Sequence, residues 1–334
     1  MNRADVEQQR VDSPSGEPGE APGGTPAAGG TRDGVPAGAR EARGSAAAPG
    51  GTPTGLPEGR ADDSPTQGEA AGEAAGEDVR GAAGEIARLA TALREQGAAV
   101  VRAVRGLDPA AAVPTCPQWR VRDLVGHIGQ AHRWAARIVR TGPPTEVPDP
   151  RRADPGPPAD WAAWVARGTT ELITAVRRAD GPVWSYFGPQ PAAFWLRRMV
   201  HDACVHHADA ALTAGTAFEL APELATGALD EALDLLCAPD AVALKPELAA
   251  LRGDGQRLLF VPTGAPDRAW LVTRTGRGPR SSTATGAAAA DVKVTAPVAD
   301  LLLLLTRRLP PTAPQLTRTG DAALLDHWWE HTAL

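Results

Sequence analysis

The sequence predicts an α-helical bundle followed by a small α+β domain, with a disordered tail in front. Three observations predict it. Apolar residues recur at helical spacing in four segments between Gly84 and Ala214. Beyond Pro222 the pattern changes to short strand-like runs between turns, with further helical segments among them. Residues 1–80 are dominated by Gly, Ala, Pro, Glu, Ser and Thr, and no aromatic residue occurs before Trp119. Such a stretch cannot bury enough apolar surface to offset the entropy of ordering, so the reading is a solvated tail.

The first helix begins near Gly84, where Ile86, Leu89, Leu93, Val100 and Val104 form an apolar stripe. PTCPQW reads as a loop. The second helix runs from about Arg120 to Arg140 and stops at Gly142-Pro143-Pro144. A proline-rich irregular stretch leads to a third helix from about Asp160 to Ala179, and a loop holding Trp184 to Pro189 leads to a fourth from about Pro191 to Ala214. Four amphipathic helices of this kind predict a four-helix bundle over residues 84–220. A helix from Pro222 to Leu236 opens the second domain, residues 221–334. RLLFVPT, AWLVTRT and DVKVTA read as strands, PVADLLLLLTRRL as a buried helix and QLTRTG as a last strand. Asp321 is placed to cap the final helix. The order is β-β-β-α-β-α, which is an α+β arrangement.

Composition narrows the function classes. The chain has 334 residues and a net charge of -6. Residues 1–80 hold 14 acidic and 7 basic residues, so the rest is close to neutral and offers no basic stripe for nucleic acid. Arginine outnumbers lysine 32 to 2, as expected of a GC-rich genome. The three cysteines, Cys116, Cys204 and Cys237, form no CxxC pair and no disulfide framework. The N-terminus lacks the pattern of a secretory signal, and the run Leu301–Leu305 is too short to span a bilayer. The expectation is a cytoplasmic protein without membrane or nucleic-acid partners, as a monomer or weak oligomer.

One constellation carries chemistry. Asp202 and His206 lie four apart on the fourth helix and so share a face. His127 lies on the second helix. Two histidines and a carboxylate with an open position form the donor set of a catalytic metal. Along the fourth helix, Trp195, Arg198, Met199, Asp202, His206 and Asp209 fall on one stripe whose apolar members point it inward. Buried charges there need partners or a metal. Arg198 can pair with Asp202, and Asp209 can support His206 from behind. The plainer reading of each residue is a satisfied core histidine or a solvated ion pair. His132, His201 and His207 are neighbours that could compete for the role, and His201 and His207, on other faces of the helix from His206, read as structural or exposed. His327 and His331 have chelating spacing on the last helix, but a helix packing Trp328 and Trp329 on a sheet explains that pattern as well.

Two runs and the C-terminal stretch carry a resemblance. VPTCPQWRVRDLVGHIG resembles the start of the mycothiol-dependent maleylpyruvate isomerase family, and FWLRRMVHDACVHHADAALTAG resembles that family's Arg-rich second block. DVKVTAPVADLLLLLTRRLP and the segment after it resemble the family's small second domain. The resemblance implies a DinB-like bundle, a sterol-carrier-like C-terminal domain, and a divalent metal, zinc, held by His127, Asp202 and His206. Position 202 departs from the family, which usually shows glutamate there. The aspartate keeps the charge and the oxygen ligand but is one methylene shorter, so the helix must approach the metal more closely, or a water must bridge, or binding weakens.

The resemblance further implies mycothiol as cosubstrate and a small electrophile as substrate, with isomerase or S-transferase chemistry. A thiol at a divalent cation loses its proton and becomes a nucleophile. Arg198, or Arg197 beside it, has the forked donors to bind a carboxylate of the thiol or substrate, with an ion pair to Asp202 or Asp209 as the alternative for Arg198. The competing functional class is a non-catalytic protein that binds a metal or an apolar ligand, motivated by the apolar run Leu301–Leu305.

Overall fold

The computed structural model describes residues 67–239 and 241–332. The expected tail, as far as residue 66, lies outside them. The first helix, α1 (Gln67–Ala103), begins well before Gly84. Its added N-terminal turns are rich in Ala and Glu, good helix formers that carry no apolar stripe to reveal the helix. A short antiparallel hairpin, β1 (Ala112–Val113) and β2 (Cys116–Arg120), follows where a loop is expected. It is too short to show alternation. Helices α2 (Val121–Thr141), α3 (Trp161–Arg177) and α4 (Ala193–Ala214) complete the bundle.

Glycine brings α2 and α3 together. A Cβ on Gly129 would lie 2.2 Å from the indole nitrogen of Trp164, and one on Gly168 would lie 2.6 Å from the Gly129 carbonyl oxygen. Arg133 closes the seam, with its guanidinium 4.0 Å from the Trp164 ring centroid. This packing fixes the helix that carries His127. The rings of Trp134 and Trp195 meet edge to face at 5.4 Å and tie α2 to α4 inside the bundle core. Helix α4 ends at Gly215, whose φ of 66° closes the last turn.

Beyond α5 (Pro222–Leu236) and the single turn α6 (Ala241–Leu244) lies a five-stranded mixed sheet. Its strands are β3 (Arg257–Pro262), β4 (Ala269–Thr275), β5 (Gly278–Ala284), β6 (Val292–Ala296) and β7 (Thr317–Gly320), in the order β5-β4-β3-β6-β7. Strands β3 and β6 pair in parallel, and the other pairs are antiparallel. Strand β5 is an addition to the expected order. Its GPRSSTA is polar and sits at the sheet edge, so neither composition nor alternation marks it.

Helices α7 (Val298–Leu305) and α8 (Ala322–His331) pack with α5 over one face of the sheet. All five leucines of Leu301–Leu305 are buried, so the apolar run is core and presents no lipid-binding surface. Among the described residues no helix is long and apolar enough to cross a membrane.

Candidate metal centre

The hairpin, α2 and α4 converge on one point. His127 comes from α2, whose first turn is fixed by Asp123 accepting from the Arg120 amide at 2.8 Å. Asp202 and His206 come from successive turns of α4. One ligand atom from each of the three residues lies within 4.8 Å of the others. His127 Nε2 is 3.4 Å from Asp202 Oδ2, and His206 Nε2 is 3.9 Å from the same oxygen. The two imidazoles meet edge to face with centroids 4.8 Å apart. Trp119 of β2 covers both, stacked on His206 at 5.4 Å and tilted on His127 at 4.9 Å.

Two of the three donors, His206 and Asp202, are held from behind. Asp209 Oδ2 lies 2.8 Å from His206 Nδ1, which directs Nε2 toward the cluster. Asp209 is fully buried and accepts from Thr115 Oγ1 at 2.6 Å. Arg308, just beyond α7, donates to both of its oxygens, Nε to Oδ1 at 2.9 Å and Nη2 to Oδ2 at 2.8 Å. The backbone delivers this arginine. Helix α7 ends at Thr306, and Arg307 adopts φ 62°, a left-handed conformation unusual for a side chain. The Arg307 guanidinium rests 4.4 Å from the Trp329 ring centroid.

Charge follows this geometry. Burial opposes ionisation of Asp202, but the hydrogen bond from His127 and the charges of His206 and Arg198 hold its carboxyl well below the usual range. Burial likewise disfavours a charged His206, yet Asp209 and Asp202 raise it above the ordinary imidazole value. Asp209 is lowered against its own burial, chiefly by Arg308. A dication among these acceptors would displace the histidine proton, as metal binding ordinarily does. Two imidazole nitrogens and one carboxylate oxygen suit zinc.

The remaining candidates fall elsewhere. The Arg198 guanidinium lies between Asp202 Oδ1 at 3.3 Å and Glu231 Oε2 at 3.5 Å. Arg197 points to Glu85 of α1. His132 is buried against Thr169, and burial pushes it down to about 3, so it is neutral. His207 meets Gln96 at 3.0 Å. His201 is buried, with Nδ1 3.0 Å from Glu231 Oε2 but outside hydrogen-bond geometry. Burial pushes the Cys204 and Cys237 thiols up to about 12, which keeps them from acting as nucleophiles. Cys116 lies 3.7 Å from both Asp209 Oδ2 and Arg308 Nη2, within the polar network rather than in plain packing.

Sequence reasoning missed Arg308, Trp119, Thr115 and Glu231. The first is separated from Asp209 by 99 positions, and no periodicity relates them. Trp119 stands eight residues before His127, and a tryptophan beside a helix start was a readable hint.

A narrow crevice of about 10 Å³, room for little more than a water, adjoins the cluster and is walled by His127, Trp134, Tyr186, Trp195, Arg198 and Asp202.

Residues 90–211 match the family model of the mycothiol maleylpyruvate isomerase N-terminal domain. The match lies within the helical bundle, from α1 to α4. The matched segment contains all three clustered residues and Asp209, and it ends before Arg308. No curated protein matches the chain. Two solved structures of a mycothiol-dependent maleylpyruvate isomerase, one of them a point mutant, are similar at 13% identity. Each covers 71% of this chain and 94% of its own, with TM-scores of 0.49 for the mutant and 0.47 for the other. A UbiJ-SCP2 ubiquinone synthesis protein covers 35% of this chain and 93% of its own at 19% identity and TM-score 0.25.

Proposed function

We propose that the protein is a metal- and mycothiol-dependent enzyme of isomerase or S-transferase type, acting on a small electrophile. The observation that carries this reading is the convergence of His127, Asp202 and His206 inside a mycothiol maleylpyruvate isomerase N-terminal domain. These three residues would hold the ion, in keeping with zinc chemistry. A divalent cation bound there supplies charge that stabilises the thiolate of the cosubstrate.

The chain's own residues do the rest. Asp209 accepts from His206 and keeps its Nε2 turned to the cluster. Arg308 neutralises Asp209, so the second domain takes part in holding the ligand. Trp119 covers the imidazoles, and Trp134, Trp195 and Tyr186 give the adjoining crevice an apolar lining. Arg198 is the cation nearest that lining. It can offer a donor to a substrate carboxylate while its other contacts hold it in place.

The test is metal analysis of the purified protein, followed by turnover of electrophiles with mycothiol. The expectation is one equivalent of bound divalent metal and chelator-sensitive turnover. Retention of full metal content by both His127→Ala and His206→Ala would sink the metal part of the proposal. Turnover that is indifferent to the thiol would sink the cosubstrate part.

A further inference from the structure

We infer that Glu231, on α5 outside the bundle, is a positioning residue for Asp202 and acts through Arg198. The inference rests on the proposed metal reading and adds a residue to it.

The two oxygens of Asp202 face different ways. Oδ2 faces His127 and His206, while Oδ1 accepts from Arg198 Nη2 at 3.3 Å. The other terminal nitrogen of Arg198, Nη1, faces Glu231 Oε2 at 3.5 Å. All three side chains are largely withdrawn from water, at 13% exposure for Asp202, 9% for Arg198 and 15% for Glu231. A guanidinium beside a single carboxylate favours a two-pronged pair that takes both oxygens. Here the second carboxylate divides the fork, so Arg198 is drawn toward Glu231 and Oδ2 stays available. Loss of Glu231 would let the guanidinium shift toward Asp202 and compete with a cation for Oδ2.

Glu231 stands on an anchored turn of α5, beside His201. His201 Nδ1 lies 3.0 Å from its Oε2, and the His201 ring is seated against Gly227, where an added Cβ would come within 3.0 Å of Nε2. The preceding residue, Asp230, accepts from Arg268 at 2.6 Å and from the Trp270 indole at 2.6 Å, which ties this turn of α5 to β4. The division of the Arg198 fork is therefore set by the second domain and not by the bundle. The shorter carboxylate at 202 raises the stakes, because it has less reach with which to escape a competing guanidinium.

The experiment measures zinc affinity of the full chain by competition with a chromophoric chelator, for wild type, Glu231→Gln, Arg198→Gln and the double variant. Glu231→Gln is expected to weaken zinc binding by about tenfold or more, within the range for residues that orient ligands. In the Arg198→Gln background the same change is expected to have no further effect, because the pathway is gone. A merely structural role for Glu231 would give the same loss in both backgrounds, and that result overturns the inference. Unchanged affinity in Glu231→Gln overturns it as well, while leaving the metal reading intact. Absence of zinc binding by wild type overturns both together. Should Glu231→Gln not fold, Glu231→Asp takes its place, with a several-fold loss expected and an unchanged affinity counting against the proposal.

Discussion

Helices α4 and α8 each carry ligand-type side chains four residues apart, and only one of the two pairs sits in a metal-competent cluster. On α4, Asp202 and His206 meet His127 from a different helix. On α8, the rings of His327 and His331 are as close as 4.4 Å, yet their nitrogens are engaged by backbone. His327 Nε2 is 2.9 Å from the Ala250 carbonyl oxygen, and His331 Nδ1 is 2.8 Å from that of His327. The Arg274 guanidinium lies 3.4 Å from the same His327 nitrogen, a poor neighbour for a cation. Among the described residues, no third donor joins that pair. Spacing along one helix gives two donors at most, and the third must come from packing.

The largest effect that tests this contrast is loss of a converging ligand. His127→Ala and His206→Ala should each weaken zinc binding by more than the 10–100-fold seen for supporting residues. Equilibrium dialysis would measure it, and retained affinity in either variant would erase the distinction between the helices.

Next comes the support behind His206. Asp209→Ala leaves Arg308 buried without its main carboxylate, which costs about 3–5 kcal/mol of stability. It should also lower zinc affinity about 10–100-fold. Urea denaturation and dialysis would read the two effects. Loss of stability alone would make Asp209 a latch between domains with no bearing on the ligand.

A smaller effect comes from His132 on α2, five residues beyond His127. Burial lowers it from 6.5 to about 3, so the folded state prefers the neutral ring. A depressed folded value means that stability is complete above pH 6.5 and falls as pH drops from 6.5 toward 3. Between pH 7 and 5 this residue alone costs about 2 kcal/mol. His132→Gln should flatten that part of the stability profile, as followed by chemical denaturation at each pH. An unchanged slope would show that His132 does not titrate against folding. The smallest expected effect is that of His327→Ala with His331→Ala, which should leave zinc stoichiometry unaltered.

Much of the site was legible in one helix. The stripe from Trp195 through Arg198, Met199, Asp202 and His206 to Asp209 follows from periodicity, and the structure turns that stripe inward. The pairings of Arg198 with Asp202 and of Asp209 with His206 are local, three or four residues apart, which is why spacing could suggest them. Arg308 and Glu231 were not legible, because they reach the site from elements distant in the chain, beyond α7 and on α5, that have their own periodicity. The strand β5 was hidden for a related reason. An edge strand with polar faces has no buried side to impose alternation.

The sequence by itself determined the helices of the bundle, the inward face of α4 and the donor types at 127, 202 and 206. Local hydrogen bonding and hydrophobic periodicity are properties of neighbouring residues. Only the tertiary structure decided that these donors meet under Trp119, that Arg308 neutralises Asp209, and that Arg198 is shared between Asp202 and Glu231. Those contacts join residues that are distant in the chain, and their energies depend on burial, which exists only once the helices and the second domain have packed.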